Sequence, residues 1–309
     1  MSKKILVALG GNALGSTLEE QMQAVHQTGK AIAELVEQGY EIVITHGNGP
    51  QVGLVSDVFS CYEANHETSH FTLSLCVSLT QGLIGYDLQN AVREELLNRG
   101  LKKYVSTLIT QVVVDKKDPA FNTPTKPIGP FYNKAIAKTM ISKGVNMMED
   151  SGRGHRRVVA SPKPVRIVEK NTIKTLLNSG EIVIACGGGG IPVVKEGNHL
   201  RGVEAVIDKD FASARLAEVL EVDYFIILTA VEKVAINFGK ENEQWLDELT
   251  CEQAKQYNAD GQFGIGSMQP KVQACVEFIE KSPKSIALIT HLEKVSDGLK
   301  GLTGTRIVK

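Results

Sequence analysis

Three glycine-rich turns and three lysines are the residues of this sequence whose types and spacing point to chemistry. The turns are Leu9-Gly10-Gly11-Asn12-Ala13, His46-Gly47-Asn48-Gly49-Pro50 and Gly187-Gly188-Gly189-Gly190, and each follows a short apolar run. Glycine lets the backbone approach a ligand and aim several N–H groups at one anion, and a following helix adds its positive end. One such turn is ordinary loop structure; three along one sheet edge suggest an oxyanion pocket. Lys209 stands between Asp208 and Asp210 at a predicted helix start, with Asp208 a good N-cap. Lys271 follows Gly266-Ser267-Met268-Gln269-Pro270 and opens a second helix with proline in its first turn. Lys126 lies in Asn122-Thr123-Pro124-Thr125-Lys126-Pro127, where prolines stiffen the backbone. Exposure to solvent is the common fate of lysine, so it is the setting that singles these three out. Phosphoryl transfer asks for positive groups held around the moving phosphoryl and a metal bridging the nucleotide phosphates. Glycine turns combined with constrained lysines meet that need.

Other motifs match less well. Gly10 to Gly15 followed by Ser16-Thr17 has the spacing of a P-loop without its lysine, and Gly47-x-Gly49 lacks the rest of a dinucleotide fingerprint. His66-Glu67-Thr68-Ser69-His70 matches H-E-x-x-H literally. Asn65, Thr68 and Ser69 read as a loop and helix cap rather than the mid-helix pair that zinc needs, so no metal-ligating residues are assigned. Arg153, Arg156, Arg157, Lys163 and Arg166 form a local basic patch that could hold a phosphate or face Glu149 and Asp150; without interleaved aromatics it is a poor nucleic-acid platform. Trp245 reads as packing.

The elements that must position these residues are legible as runs. Ile5–Leu9, Ile42–Thr45, Ser106–Val114, Ile182–Ala185, Phe225–Thr229 and Ile286–Thr290 are rich in Val and Ile and read as buried strands. Between them Gln21–Glu37, Leu83–Leu97 and Lys209–Leu220 read as helices. The alternation implies an α/β fold with a mostly parallel sheet covered on both faces. Six of the ten prolines, Pro119, Pro124, Pro127, Pro130, Pro162 and Pro164, fall in one stretch. They exclude a central strand or long helix there, so residues 116–164 are expected to form a protruding subdomain inserted between sheet strands.

At 309 residues the chain suits one large domain or two lobes, and 42% hydrophobic content is enough for a substantial core. A net charge of −1 gives no general attraction to nucleic acid or anionic membrane. The N-terminal apolar run is too short for a signal or membrane segment, so a cytoplasmic protein is expected. Cys61, Cys76, Cys186, Cys251 and Cys275 are odd in number without C-x-x-C spacing, and buried reduced thiols are the expectation.

Taken together these residues resemble the carbamate kinases, a branch of the amino-acid kinase superfamily. The likeness runs through Ala8 to Asn12, His46 to Gly53, Asp118-Pro119 and Asn122 to Gly129, Glu149 to Gly154, Val158 to Pro162, Gly187 to Pro192, Ala205 to Asp210, and Gly266 to Lys271, reaching Gly304-Thr305-Arg306-Ile307. It implies reversible phosphoryl transfer between ATP and carbamate, giving ADP and carbamoyl phosphate with Mg2+, on a three-layer αβα sandwich with a mainly parallel eight-stranded sheet. A homodimer acting on small molecules is implied too. By that resemblance Gly10, Gly11, Asn12, Asn48, Gly49, Gly188 and Gly189 hold carbamate and the transferred phosphoryl, and Lys126 reaches the phosphoryl oxygens from the insert. Lys209 and Lys271 sit on the nucleotide phosphates, Asp210 orients lysines and metal, and Thr229, Ala230, Val231, Phe238 and Met268 line the adenosine pocket. Many superfamily relatives have lysine where Ala8 stands. Gln269, where the resemblance leads one to expect glycine, and His155, where it leads one to expect an aromatic residue, are departures. The residues themselves leave open another small-substrate kinase, or a nucleotide-binding regulator without catalysis.

Overall fold

The computed structural model describes residues 2–10, 17–150 and 152–309. Its principal sheet has eight strands: β1 (Lys4–Leu9), β2 (Glu41–His46), β3 (Val105–Thr107), β9 (Ile182–Ile184), β12 (Tyr224–Thr229), β15 (Glu248–Thr250), β16 (Ile286–His291) and β17 (Thr305–Val308). Their spatial order is β15-β17-β16-β12-β1-β2-β9-β3. All neighbours run parallel except β16 and β17. Strands β1 and β12 are apolar on both faces because helices cover both, as parallel sheets require. One core packs Leu6, Val43, Val183, Phe225 and Ile289 on one side, and a second packs Ile5, Val7, Ile42, Ile44 and Leu288 on the other. The alternation along each strand therefore yields three layers.

The helices are α1 (Leu18–Glu37), α2 (Gly49–Glu63), α3 (Leu73–Asn98), α4 (Lys134–Ser142), α5 (Lys170–Asn178), α6 (Lys209–Leu220), α7 (Cys251–Ala259), α8 (Met268–Lys281) and α9 (Val295–Leu299). Thr17 caps α1 in a reciprocal capping box with Glu20, and Thr72 caps α3. Helix α3 thus starts ten residues before the predicted Leu83, because its first turns alternate apolar with Ser and Thr.

Ser106–Val114, expected as one strand, is two. Strand β3 belongs to the principal sheet, whereas β4 (Gln111–Val114) joins β8 (Pro164–Ile167), β10 (Ile191–Glu196) and β11 (His199–Gly202) in a second sheet ordered β11-β10-β4-β8. The break is at Thr110, whose N–H donates to Gln81 Oε1 at 2.9 Å while its C=O accepts both from Gln81 Nε2 at 3.1 Å and from Ile191 N–H at 2.9 Å, so the chain passes here from the principal sheet to β10 of the second one. Within 116–164, β5 (Lys126–Tyr132), β7 (His155–Val159) and β6 (Met147–Glu149) form a separate three-stranded sheet in the order β5-β7-β6, beside the short α4. A two-stranded ribbon, β13 (Val234–Ile236) and β14 (Gln244–Leu246), completes the described strands. Cys76, Cys186, Cys251 and Cys275 are buried free thiols, but Cys61 is exposed on the outer side of α2, contrary to expectation.

Candidate active site

The C-terminal ends of β1, β2 and β9 are neighbours, which brings Gly10 and the glycine turns after β2 and β9 to one edge of the sheet. Gly10 continues the β1 ladder, its N–H donating to Leu228 O at 3.1 Å. Gly11 and Asn12 lie outside the described residues. After β2 the buried Asn48 donates its side-chain amide to Thr80 Oγ1 at 2.8 Å and makes no side-chain cap on α2. In the first turn of α2 Pro50 has no N–H and Val52 N–H donates to Asn48 O at 2.8 Å, which leaves the N–H groups of Gly49 and Gln51 without helical partners. After β9, Gln81 holds Gly187 O at 3.0 Å. Gly188 has φ +64°, and a Cβ there would stand 2.2 Å from Asn48 Nδ2, so only glycine lets these two turns meet. Gly189 abuts Ile207 O, which a Cβ would approach to 2.2 Å, and so links the turns to the residues that start α6.

At that start the charges converge. Asp208 caps α6 by accepting from Asp210 N–H at 2.9 Å, and its other oxygen accepts from Lys126 Nζ. Lys209 Nζ donates to Asp210 Oδ1 at 2.8 Å and Lys271 Nζ to Oδ2 at 3.1 Å. Ser213 bonds Lys209 O at 2.6 Å and Thr45 Oγ1 at 2.6 Å, pinning this turn to β2. Burial pushes the Asp210 carboxyl up, but Lys209 and Lys271 outweigh it and hold the group well below the ordinary carboxylate range. Burial lowers the pKa of Lys209 despite Asp210; it opposes charge on Lys271 too, where Asp210 and Asp208 prevail and raise it. Three lysines thus share two carboxylates at the positive end of a helix, and the surplus of positive charge is suited to a multiply charged anion.

Thr229 ends β12 beside β1, with Ala230 and Val231 following, and Met268 begins the same helix as Lys271 and packs on the core. Phe238 stands apart in the β13–β14 connection, 65% exposed, with its ring edge-on to Trp245 at 6.0 Å between centroids. His66 and His70 lie beyond α2 and are engaged separately, His66 with Tyr62 O at 2.9 Å and His70 with Glu63 at 3.2 Å. In the basic patch Arg153 and Arg156 face Asp150, Arg157 donates to Ser56 at 2.9 Å, and Lys163 pairs with Glu277 at 2.8 Å.

Thr80 and Gln81 carry no signal in the sequence apart from being polar residues of α3, and Asp208 signals only a helix cap. His46 carries no sequence signal beyond its place in the turn. It is buried, and its Nδ1–H donates to Gly47 O at 2.9 Å. Burial lowers its pKa to about 4.

The model of the Amino acid kinase family matches residues 3–289. Carbamate kinase-like protein YqeA of Escherichia coli strain K12 is 57% identical over 99% of both chains, and carbamate kinase of Clostridium perfringens strain 13 is 50% identical over 99% of this chain and 100% of its own. Among solved structures, carbamate kinase from Giardia lamblia bound to AMP-PNP superposes with TM-score 0.88 at 38% identity, covering 100% of this chain and 99% of the other. By full-length similarity and by fold, the chain belongs to the amino acid kinase family, in its carbamate kinase branch.

Proposed function

We propose that this protein is a carbamate kinase that moves a phosphoryl group between ATP and carbamate, giving ADP and carbamoyl phosphate, and that its cellular direction is ATP synthesis. The observation that carries this reading is the meeting of Lys126, Lys209 and Lys271 at the start of α6, next to contiguous glycine turns. Relatives of about half identity over the whole length carry that name. Carbamate already bears its negative charge, so its oxygen attacks phosphorus without a general base as the bond to the ADP oxygen breaks. What the reaction asks of the protein is position and positive charge. In this reading Gly10, Gly11, Asn12, Asn48, Gly49, Gly188 and Gly189 hold carbamate and the moving phosphoryl. Lys209 and Lys271 neutralise the nucleotide phosphates, Asp210 aligns both, and Thr229, Ala230, Val231, Phe238 and Met268 receive the nucleoside.

Residues 116–164 act as a lid that delivers Lys126. Its sheet is seated on α2 through Arg157 and Ser56, and through Tyr132 Oη and Asp57 at 3.3 Å. Mg2+, when bound, supplies further charge to the phosphates. The oxygens of Asp208 and Asp210 are engaged by lysines and by backbone, a donor set that fits a metal held mainly by the nucleotide. A homodimer is supported by two apolar stripes on adjacent helices, Leu54, Val58 and Tyr62 on α2 and Leu75, Leu79, Leu83 and Tyr86 on α3, all exposed. Among the described residues no helix is long and apolar enough to cross a membrane, and a cytoplasmic site is proposed. The deciding experiment is ATP formation from ADP and carbamoyl phosphate with magnesium; pure, folded protein without turnover would overturn the reading.

A further inference from the structure

The three arginines of β7 and its approach have different fates. Arg153 is 55% exposed, and Arg157 reaches Ser56. Arg156 keeps only 12% of its side chain exposed, with Nε donating to Gly129 O at 3.0 Å, Nη1 at 3.3 Å from Asp150, and the guanidinium 5.1 Å from the centre of the Phe131 ring. Its Nη2 is cut off from solvent and makes no hydrogen bond among the described residues. A buried charged donor left empty carries a desolvation cost that folded proteins seldom leave uncompensated. That nitrogen stands 3.6 Å from the point a Cβ on Gly49 would occupy, against the uncapped first turn of the 15-residue α2. Asp150 is shared with Arg153, so neither arginine has that carboxylate to itself.

We propose that Arg156 is a substrate-binding residue: its empty Nη2–H donates to an oxygen of the carbamoyl end of the substrate held at the first turn of α2. This rests on the carbamate kinase reading and extends it. Lys126, the first residue of the same small sheet, engages the start of α6, whereas Arg156 Nη2 stands beside Gly49 at the start of α2. The lid thereby grips a substrate with one polar group at each end, and a ligand lacking the carbamoyl oxygen leaves the Arg156 contact unmade.

The test is steady-state ATP formation by Arg156→Gln and Arg156→Lys beside the wild type. The KM for carbamoyl phosphate is expected to rise roughly 10- to 100-fold in Arg156→Gln and less in Arg156→Lys, which keeps charge without the planar fork, while the KM for ADP changes by less than about twofold. An unchanged KM for carbamoyl phosphate, or an equal rise for both substrates, would overturn the proposal and leave Arg156 as a staple of the lid. Wild-type protein without turnover would instead overturn the reaction itself, and this role with it. Should both variants fail to fold, hydrogen exchange on the wild type decides: carbamoyl phosphate alone should slow residues 155–159 together with the first turn of α2, ADP alone should not, and no difference between the two refutes the contact.

Discussion

Replacing His46 by asparagine should flatten the acid side of the stability profile. The imidazole is 1% exposed and packs under the glycine turn after β9, where a Cβ on Gly187 would lie 2.4 Å from its Nε2. Burial is the main cause of its pKa of about 4, against 6.5 for a free imidazole, and the charge of Lys209 adds to it. The folded protein therefore refuses a proton that the unfolded chain accepts, so the contribution to stability is intact above about pH 6.5 and is lost as pH falls toward 4. At about 1.4 kcal/mol per unit, lowering the pH from about 7.5 to about 5 costs about 2 kcal/mol through this one group. The amide introduced by His46→Asn would still offer an N–H toward Gly47 O but would not titrate. Urea unfolding of both proteins at both pH values isolates the effect, because every other acid titrates alike in each. The variant is less stable at neutral pH, yet its loss on acidification should be smaller by about 2 kcal/mol. Equal losses would refute the argument that this ring is held neutral.

Asp210→Asn leaves Lys209 and Lys271 without the carboxylate they share. It should lower stability by about 3 to 5 kcal/mol, seen as a fall in melting temperature, and cut turnover by roughly 100-fold or more. Gly188→Ala places a Cβ 2.2 Å from Asn48 Nδ2 on a residue with φ +64°, and should cost about 1 to 3 kcal/mol of stability together with weakened use of carbamoyl phosphate, measured by denaturation and by KM. Leu79→Asp, on the exposed stripe of α3, should shift sedimentation from dimer to monomer; an unchanged sedimentation coefficient would remove that face as the contact between copies.

The strands that build the ligand edge are legible because burial on both faces leaves continuous apolar runs, and Lys209 and Lys271 are legible because helix-start signals surround them. What escapes is anything that depends on a distant partner. Nothing local says that Lys126 meets a carboxylate 82 residues away, or that Gln81 splits Ser106–Val114 by bonding Thr110. Strands β15 and β17 are short and flanked by charge, so they carry no apolar run to read. The arginines of β7 look alike in sequence. Only packing separates the one that props the sheet on α2 from the one left with an empty donor.

Helix α2 and the small sheet touch where two glycines lie back to back. A Cβ on Gly53 would stand 2.0 Å from Gly129 Cα, while Gly129 itself has φ +73°. In mutational terms the two positions are under unequal constraints: Gly129 is bound by its own backbone, but Gly53 is bound by what rests on it. A descendant of this chain that shed the insert would be released at position 53, and side chains should accumulate there first. Glycine at that point of α2 is thus a marker, readable in a bare sequence, of a sheet lying across the helix.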